Sequence, residues 1–297
     1  MAFNYNYEKP IVISEIGCNH KGDIEIAKEL IELSKEAGAD VAKFQKRHPR
    51  ELLTQNQYEA PHPNQSNAYG YTYGEHREFL EFSIQEHAEL KKYAESIGIV
   101  YSTSVWDVTS AKAIITLNPS FIKVPSACNS HFEMLKILRD EYKGDVHISF
   151  GMTKKEEKDE VIKFFEETNS AKSRLVVYAC TSGYPVPFED ICLLEINNLY
   201  EKYGDKVKNI AFSGHHKGIA VDISAYTLGA VYIERHFTKD RTWKGTDHAA
   251  SLEFDGLRKL CRDLAVVNLA LTYKKTDILE IEQVQRDKLK YRKDSSN

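Results

Sequence analysis

The sequence predicts an α/β protein built as a (β/α)8 TIM barrel, with a long insertion after the second strand and a C-terminal tail. Short apolar, β-branched segments alternate with longer amphipathic segments, and this alternation recurs eight times along the 297-residue chain. That alternation is typical of parallel strands joined by crossover helices, and eight strands close a barrel. A hydrophobic content of 42% is enough for one large, well-buried core.

The predicted strands are short apolar runs that end in polar side chains. They are placed at residues 11–17, 40–45, 98–104, 121–126, 146–152, 174–180, 209–215 and 230–237.

The predicted helices lie between these strands. In residues 24–39, Ile24, Ala27 and Ile31 recur at helical spacing, and Gly38 is a plausible stop. Four further stretches have helical periodicity: residues 85–98, 154–168, 188–204 and 254–271.

Two segments break this rhythm. Residues 46–83 form a polar insertion rich in Pro, Asn, Tyr and Gly, and a loop of that length in a compact domain is usually a functional lid or an interface element. Residues 274–297 form a charged tail, expected to lie on the surface as a helix or strap. We therefore expect a catalytic barrel domain over residues 1–273 followed by the tail.

Composition excludes several classes of partner. A net charge of -4 argues against nucleic acid or an anionic membrane as a partner. No apolar run approaches the roughly 20 residues needed to span a bilayer, and the polar N-terminus lacks the features of a secretory signal. Five scattered cysteines without a C-x-x-C pair favour reduced thiols over a disulfide framework or a structural zinc site. A cytoplasmic location is expected.

Two lysines lie inside predicted strands. Alternation points Lys43 and Lys123 toward the barrel interior, where a buried ammonium group needs a compensating anion. The anion is either a ligand or an interior carboxylate such as Glu15. The active site of such a barrel lies at the carboxyl ends of its strands. Hydroxyl groups at that rim are candidates to complete a phosphate or carboxylate cradle: Thr103, Ser126, Ser149 and Ser213.

Two histidines end the last two predicted strands. His215 and His236 are therefore expected side by side at the mouth of the barrel, with carboxylates of Glu15, Glu234 and Asp247 within reach. Imidazole and oxygen ligands without a thiolate favour a divalent metal, Mn²⁺ first and Mg²⁺ or Co²⁺ as alternatives. A single histidine in such a place would more often be a core residue satisfied by a hydrogen bond.

Nine motifs occur in order between residues 11 and 253: ISEIGCNHKGD, AGADVAKFQK, TYGEHREFLEFS, IKVPSACN, SFGM, CTSGYPVPFED, SGHHKGIA, ERHFT and KGTDHAASLE. In number, order and spacing this set resembles the sialic acid synthase family, and it is closest to the members with the SGH-x-x-GIA and KG-x-DH-x-ASLE forms. Such enzymes condense phosphoenolpyruvate with an open-chain N-acetylmannosamine, free or as its 6-phosphate. The product is a nine-carbon 2-keto acid, and inorganic phosphate is released.

The resemblance implies a role for each candidate residue. The residues implied to hold phosphoenolpyruvate are Lys43, Thr103, Lys123, Ser126, Ser149, Ser182 and Ser213. Those implied to face the sugar are Glu15, Gln45, Tyr184, Glu234 and Asp247. His215 and His236 are implied to bind the metal. Among these, Glu15, Lys43, Lys123, Glu234 and Asp247 are the candidates for chemistry. Many members have Asn where this chain has Ser182, so that contact is expected to differ.

The resemblance also implies a partner. Family members usually continue into a small antifreeze-like domain that reaches across a homodimer and gives an arginine to the partner's sugar site. Three alternatives are open at this stage: a separate antifreeze-like subunit supplies the domain, the 46–83 insertion closes the site, or the acceptor is another sugar.

Two other functions are compatible with the same residues. A barrel lysine, Lys43 or Lys123, could serve a Schiff-base aldolase. The barrel could instead bind a sugar or phosphate without catalysis, as a sensor or an assembly partner. Whether the acceptor is phosphorylated is not decided by the sequence, since the basic residues beside the predicted site are ordinary surface residues as well: Lys46, Arg47, Arg77, Arg241 and Lys244.

Overall fold

Eight parallel strands form a closed barrel in the computed structural model, which describes residues 7–291. Each strand pairs with its neighbours in sequence, and β1 pairs with β8. The strands are β1 Ile11–Gly17, β2 Val41–Lys46, β3 Val100–Val105, β4 Phe121–Val124, β5 Asp145–Ser149, β6 Leu175–Cys180, β7 Asn209–Gly214 and β8 Tyr232–His236. The predicted fold class is confirmed, and each predicted strand overlaps an observed one.

Helices surround the barrel and fill the insertion. In chain order they are α1 Ile24–Glu36, α2 Pro49–Leu52, α3 Gln55–Glu59, α4 Tyr73–Phe79, α5 Ile84–Ile97, α6 Val108–Ile115, α7 Phe132–Asp140, α8 Lys155–Glu166, α9 Ala171–Arg174, α10 Glu195–Tyr203, α11 Ala220–Thr227, α12 Phe254–Ala270 and α13 Glu280–Leu289.

Local sequence signals define the helix ends. The Asp23 carboxylate accepts hydrogen bonds from the first backbone N–H groups of α1, and Ser83 forms a capping box with Glu86 at the start of α5. Helix α5 ends at Gly98, which adopts a left-handed conformation with φ of 75°. These caps fix the ends of the two helices that pack against β2 and β3.

The barrel interior is layered. Its lower part is apolar and contains Ile13, Phe121, Val176 and Tyr178. Two positions further along β1 and β4, the inward side chains are Glu15 and Lys123, so polarity begins at the carboxyl ends of the strands. A second, larger apolar core lies between the outward faces of the strands and the helices. The architecture thus concentrates the buried charge at one mouth.

The insertion is ordered rather than a bare loop. Residues 46–83 contain α2, α3, α4 and a short 3-10 helix at Gln65–Asn67. Tyr69 reaches from the insertion to the loop after β8, where its hydroxyl donates to the carbonyl oxygen of Lys244. The insertion therefore lies over the same mouth as the strand ends.

The tail follows a different course. Its helix α13 has no buried residue, consistent with the predicted surface helix, and residues 292–297 lie outside the described part of the chain. Within residues 7–291 no helix has the length and apolarity required to cross a membrane. All five cysteines are free thiols.

Candidate active site

A cavity of about 300 Å³ opens at the carboxyl ends of the strands. Twelve of the fourteen residues singled out from the sequence line it: Glu15, Lys43, Gln45, Lys123, Ser126, Ser149, Ser182, Tyr184, Ser213, His215, Glu234 and His236. Asp247 lines an adjoining cavity, and Thr103 lines neither. We refer to the first cavity as the strand-end pocket.

Two lysines and two glutamates form a buried charge cluster at its floor. Lys43 makes an ion pair with Glu15, and its Nζ lies 3.7 Å from Glu234. Lys123 Nζ lies 2.9 and 2.8 Å from the two carboxylate oxygens of Glu234. Of the two alternatives for the compensating anion, a ligand or an interior carboxylate, the structure shows the interior carboxylate, because each ammonium group has a glutamate partner. All four side chains are almost completely buried.

The cluster sets the protonation of its members. Burial acts to raise the pKa of Glu234, but the ammonium groups of Lys123 and Lys43 outweigh it and lower that pKa far below its usual range. Burial lowers the pKa of Lys123, and Glu234 only partly opposes this. For Lys43 the two carboxylates outweigh burial, so its pKa is raised. Glu234 is thus ionised at neutral pH beside two lysines in unequal environments.

The Tyr178 ring supports one of these lysines from below. Lys123 Nζ lies 3.7 Å from the ring centroid, which is the geometry of a cation–π interaction. The Tyr178 hydroxyl lies 2.7 Å from Nδ1 of buried His147, and the His147 ring stacks on Phe121 at 4.0 Å. The apolar lower layer therefore presents one aromatic face to the charge cluster.

The third strand turns a different residue inward than expected. In β3, Ser104 lines the pocket and accepts a hydrogen bond of 3.0 Å from Lys43 Nζ. Thr103 is paired with outward-facing Phe44 of β2 and lies on the helix side, with its hydroxyl bonded to a backbone carbonyl. The placement of Thr103 in the site is thus wrong, because side chains alternate along a strand and Ser104 has the inward parity.

The other hydroxyl groups lie where they were expected. Ser126 accepts a hydrogen bond from the backbone N–H of Gly151 at 3.0 Å, and Ser213 donates to Glu234 at 3.1 Å. Ser149 and Ser182 also line the pocket. Hydroxyl groups therefore line the same pocket as the two ammonium groups, an arrangement that suits an anionic ligand.

The two histidines meet at the mouth of the barrel, with ring centroids 5.4 Å apart. His215 Nδ1 lies 3.0 Å from the carbonyl oxygen of Thr181, which leaves Nε2 for another partner. Nδ1 of His236 is buried without a hydrogen-bond partner in the described structure, and lies 3.9 Å from Asp247 Oδ2. Burial, followed by the neighbouring His236, lowers the pKa of His215 to about 3. The imidazole of His215 is therefore neutral, as a metal ligand must be.

Residues 7–291 contain no group of three or more His, Cys, Asp or Glu side chains arranged to hold a metal ion. The neutral imidazole of His215 beside the buried, unpartnered Nδ1 of His236 nevertheless fits a cation that keeps several waters, as Mg²⁺ does. His216 and His248 do not join this pair. His216 packs against Arg235 and Asp222 behind the strand, and His248 lies 2.7 Å from the Thr238 hydroxyl.

A second cavity of about 240 Å³ adjoins the strand-end pocket under the insertion. It shares lining residues with the first pocket, so the two spaces are continuous: Gln45, Trp106, Tyr184 and His236. Asp247 lies in this second cavity, which we call the insertion pocket. Burial acts to raise the pKa of Asp247, but His236 and other neighbours lower it.

Sequence reasoning missed part of the site. Ser104 was detectable, since Tyr101, Thr103 and Val105 form the outward series of β3 and leave Ser104 inward. Trp106 follows β3 directly and lines both cavities. Tyr73 and His76 lie in the TYGEHREFLEFS motif, but no role was assigned to them, because the position of the insertion over the barrel is a tertiary property.

Comparisons with known proteins find relatives over most of the chain. The NeuB family model matches residues 30–276. Human N-acetylneuraminate-9-phosphate synthase is 37% identical over 278 residues, which cover 94% of this chain and 76% of the human protein. The N,N'-diacetyllegionaminic acid synthase of Campylobacter jejuni subsp. jejuni is 29% identical over 264 residues, covering 89% of this chain and 78% of that protein.

A solved structure shares the whole barrel. The N-acetylneuraminic acid synthetase of Leptospira borgpetersenii serovar Hardjo-bovis, crystallised with citrate, superposes with a TM-score of 0.80 at 25% identity. The alignment covers 96% of this chain and 94% of that chain.

Proposed function

The chain belongs to the NeuB family, and from that premise we propose that it condenses phosphoenolpyruvate with open-chain N-acetylmannosamine 6-phosphate. The product is the 9-phosphate of a nine-carbon sialic acid, and inorganic phosphate is released. The observation that carries the proposal is the buried cluster of Lys43, Lys123, Glu15 and Glu234 beneath a rim of serine hydroxyls. The name of the human relative, a 9-phosphate synthase, supports a phosphorylated acceptor.

Phosphoenolpyruvate fits the strand-end pocket by charge. It carries a carboxylate and a phosphate group of about −2 charge, so it needs several cationic and hydroxyl donors. Lys43 and Lys123 supply the ammonium groups, and Ser104, Ser126 and Ser213 lie beside them. Before the ligand binds, Glu15 and Glu234 balance the charge of the two lysines. On binding, the ligand competes with these carboxylates for the ammonium groups.

The chemistry requires charge stabilisation at two atoms. Carbon 3 of phosphoenolpyruvate attacks the acceptor aldehyde, whose oxygen gains negative charge and takes up a proton to become a hydroxyl. Positive charge develops at carbon 2 before water adds there. Ionised Glu234, held by Lys123 and Ser213, is placed to stabilise that charge and to accept a proton from the attacking water. Phosphate then leaves, and the 2-keto group is formed. Holding both substrates in one continuous space removes much of the entropic barrier.

We propose further that His215 and His236 hold a divalent metal, Mn²⁺ first and Mg²⁺ or Co²⁺ as alternatives. When bound, such a cation would act as a Lewis acid toward the acceptor aldehyde. The two imidazoles, with Asp247 beside His236, lie where the acceptor sugar would bind and would orient it. Tyr184 packs on His215 with ring centroids 4.4 Å apart and restricts the movement of that imidazole.

The test is release of inorganic phosphate from phosphoenolpyruvate in the presence of N-acetylmannosamine 6-phosphate and Mn²⁺. We expect turnover with the purified protein and a loss of about 10²- to 10⁴-fold in kcat for Glu234→Gln, which removes the ionised carboxylate. Mass spectrometry must show the nine-carbon product. Phosphate release that does not depend on the sugar would contradict the proposal.

The lowered pKa of Lys123 favours one second candidate, a Schiff-base aldolase. Borohydride trapping distinguishes the two functions. A covalent adduct on Lys123 after incubation with a 2-keto acid would favour the aldolase, whereas the condensing enzyme needs no imine.

A further inference from the structure

The insertion pocket holds two arginines in different electrostatic situations. Arg47 is buried and paired with Glu81, with its Nε 2.5 Å from the carboxylate. Arg77, on α4, has no carboxylate within 4.0 Å anywhere in the described structure. Its Nε and one Nη donate to the Tyr73 hydroxyl, and its other Nη makes no hydrogen bond to described protein atoms. Arg77 thus has no carboxylate in ion-pair contact, although Asp247 lines the same cavity.

Its surroundings hold the guanidinium group in place without neutralising it. Arg77 lies over the rings of Tyr73 and Trp106, at 5.0 and 5.8 Å from their centroids. The side chain is only partly exposed, so its charge is costly without an anion. Planar N–H groups held in this way match the oxygen atoms of a phosphate better than an ammonium group does.

The cavity that contains Arg77 adjoins the strand-end pocket. Trp106 lines both cavities, so the space beside Arg77 continues into the strand-end pocket, where the aldehyde end of the acceptor reacts. Lys43 and Lys123 are already engaged with carboxylates at the far end of that space. Among the arginines and lysines that line the two cavities, Arg77 alone has no carboxylate partner within residues 7–291.

We propose that Arg77 binds the phosphate ester at the distal end of the acceptor sugar and so selects a phosphorylated acceptor over the free sugar. This inference rests on the proposed condensation for its catalytic test, but the binding of a sugar phosphate can be measured without turnover. The Tyr73 hydroxyl, which accepts from Arg77, orients the guanidinium group toward that phosphate.

The experiment compares Arg77→Gln, Arg77→Lys and wild type with N-acetylmannosamine and its 6-phosphate. For each protein we take the ratio of kcat/KM with the phosphorylated sugar to kcat/KM with the free sugar. This ratio is expected to fall about 10- to 100-fold in Arg77→Gln, since hydrogen bonds between charged groups contribute strongly to binding. Arg77→Lys keeps the charge but loses the planar donors, and an intermediate ratio is expected. Arg50→Gln is the matched control, because Arg50 lies in the same insertion but pairs with Glu78 at the surface.

Calorimetric titration with N-acetylmannosamine 6-phosphate separates this inference from the proposed function. Weaker binding by Arg77→Gln than by wild type supports the phosphate subsite, even if no phosphate is released from phosphoenolpyruvate. An unchanged ratio of kcat/KM in an active Arg77→Gln overturns the subsite and leaves the condensation standing. An equal loss of kcat/KM with both sugars also overturns it, because Arg77 would then act through Asp247 and not on the phosphate. Wild type that binds no sugar phosphate overturns it outright.

Discussion

Tyr178 shows how one side chain from the apolar layer can act on the charge cluster. Its ring lies 3.7 Å from Lys123 Nζ, so it favours the charged form of a lysine whose pKa burial lowers. The sequence does not predict this contact, because Tyr178 is one aromatic residue within an apolar strand. A ring beneath the ammonium group adds stabilisation that is independent of Glu234.

We predict that Tyr178→Leu raises the KM for phosphoenolpyruvate about 3- to 30-fold, which corresponds to the roughly 0.5–2 kcal/mol of a cation–π interaction. Tyr178→Phe keeps the ring and loses only the hydroxyl contact with His147, so its KM is expected to stay near the wild-type value. Steady-state kinetics with a phosphate-release assay measures both variants. Equal KM values for the Phe and Leu variants would show that the ring is only a packing element.

At the scale of one strand, the alternation of β3 separates two adjacent hydroxyl residues. Ser104 faces the pocket and accepts from Lys43, while Thr103 faces the helices. Residues 102–104 are all hydroxyl residues, so polarity alone could not assign the inward position. The outward pair Tyr101 and Val105 does assign it.

The corresponding prediction is a matched pair of substitutions. Ser104→Ala removes an acceptor of the Lys43 ammonium group and is expected to lower kcat/KM for phosphoenolpyruvate about 3- to 10-fold, from a hydrogen-bond contribution of about 0.5–1.5 kcal/mol. Thr103→Val, on the opposite face, is expected to change kcat/KM less than twofold. Kinetic parameters of both variants give the answer, and a larger loss in Thr103→Val would refute the assigned register.

The contact between α5 and β3 makes stability depend on pH. His87 is fully buried, with Nδ1 2.7 Å from the Tyr101 hydroxyl, and burial followed by Lys46 lowers its pKa to about 3. The unfolded chain has a histidine pKa of about 6.5. Between these values the unfolded state binds the additional proton, so stability is full above about pH 6.5 and is lost as the pH falls toward 3.

We therefore expect the free energy of unfolding to decrease below about pH 6.5, with a contribution from His87 of up to ~1.4 kcal/mol per pH unit. Urea unfolding at pH 7.5, 6.5, 5.5 and 4.5 measures this dependence. His87→Gln removes the titrating group but keeps a polar partner for Tyr101, and its dependence on pH should be shallower. His20, whose pKa burial also lowers to about 3, accounts for part of the remaining slope. Parallel slopes for wild type and His87→Gln would contradict this account.

At the scale of the whole molecule, barrel closure brings the first and last strands together. Glu15 of β1 is paired in register with His236 of β8, although the two are far apart in sequence. The same closure places the insertion and the loop after β8 over one mouth. A ligand held between these parts is therefore linked to folding of the entire barrel.

The proposed metal gives a test at this scale. A cation that binds only the folded protein stabilises it by about 2.7 kcal/mol at 100 times its Kd, which corresponds to several degrees in Tm. We expect Mn²⁺ to raise the Tm of wild type and to lose this effect in His215→Ala and His236→Ala. Exposed His48, outside both cavities, supplies the control His48→Ala, which should keep the shift. A shift that survives in both site variants would place the metal elsewhere.

The sequence by itself determined the eightfold β/α alternation, the strand positions to within a few residues, and most of the strand-end residues of the pocket. These features are local, since apolar periodicity and the alternation of side chains follow directly from the order of residues. Only the tertiary structure decided that Glu234 pairs with Lys123, 111 residues away in sequence, and that Arg77 is left without a carboxylate. Distances between side chains on different strands depend on barrel closure and on how the insertion packs, and no local pattern encodes them.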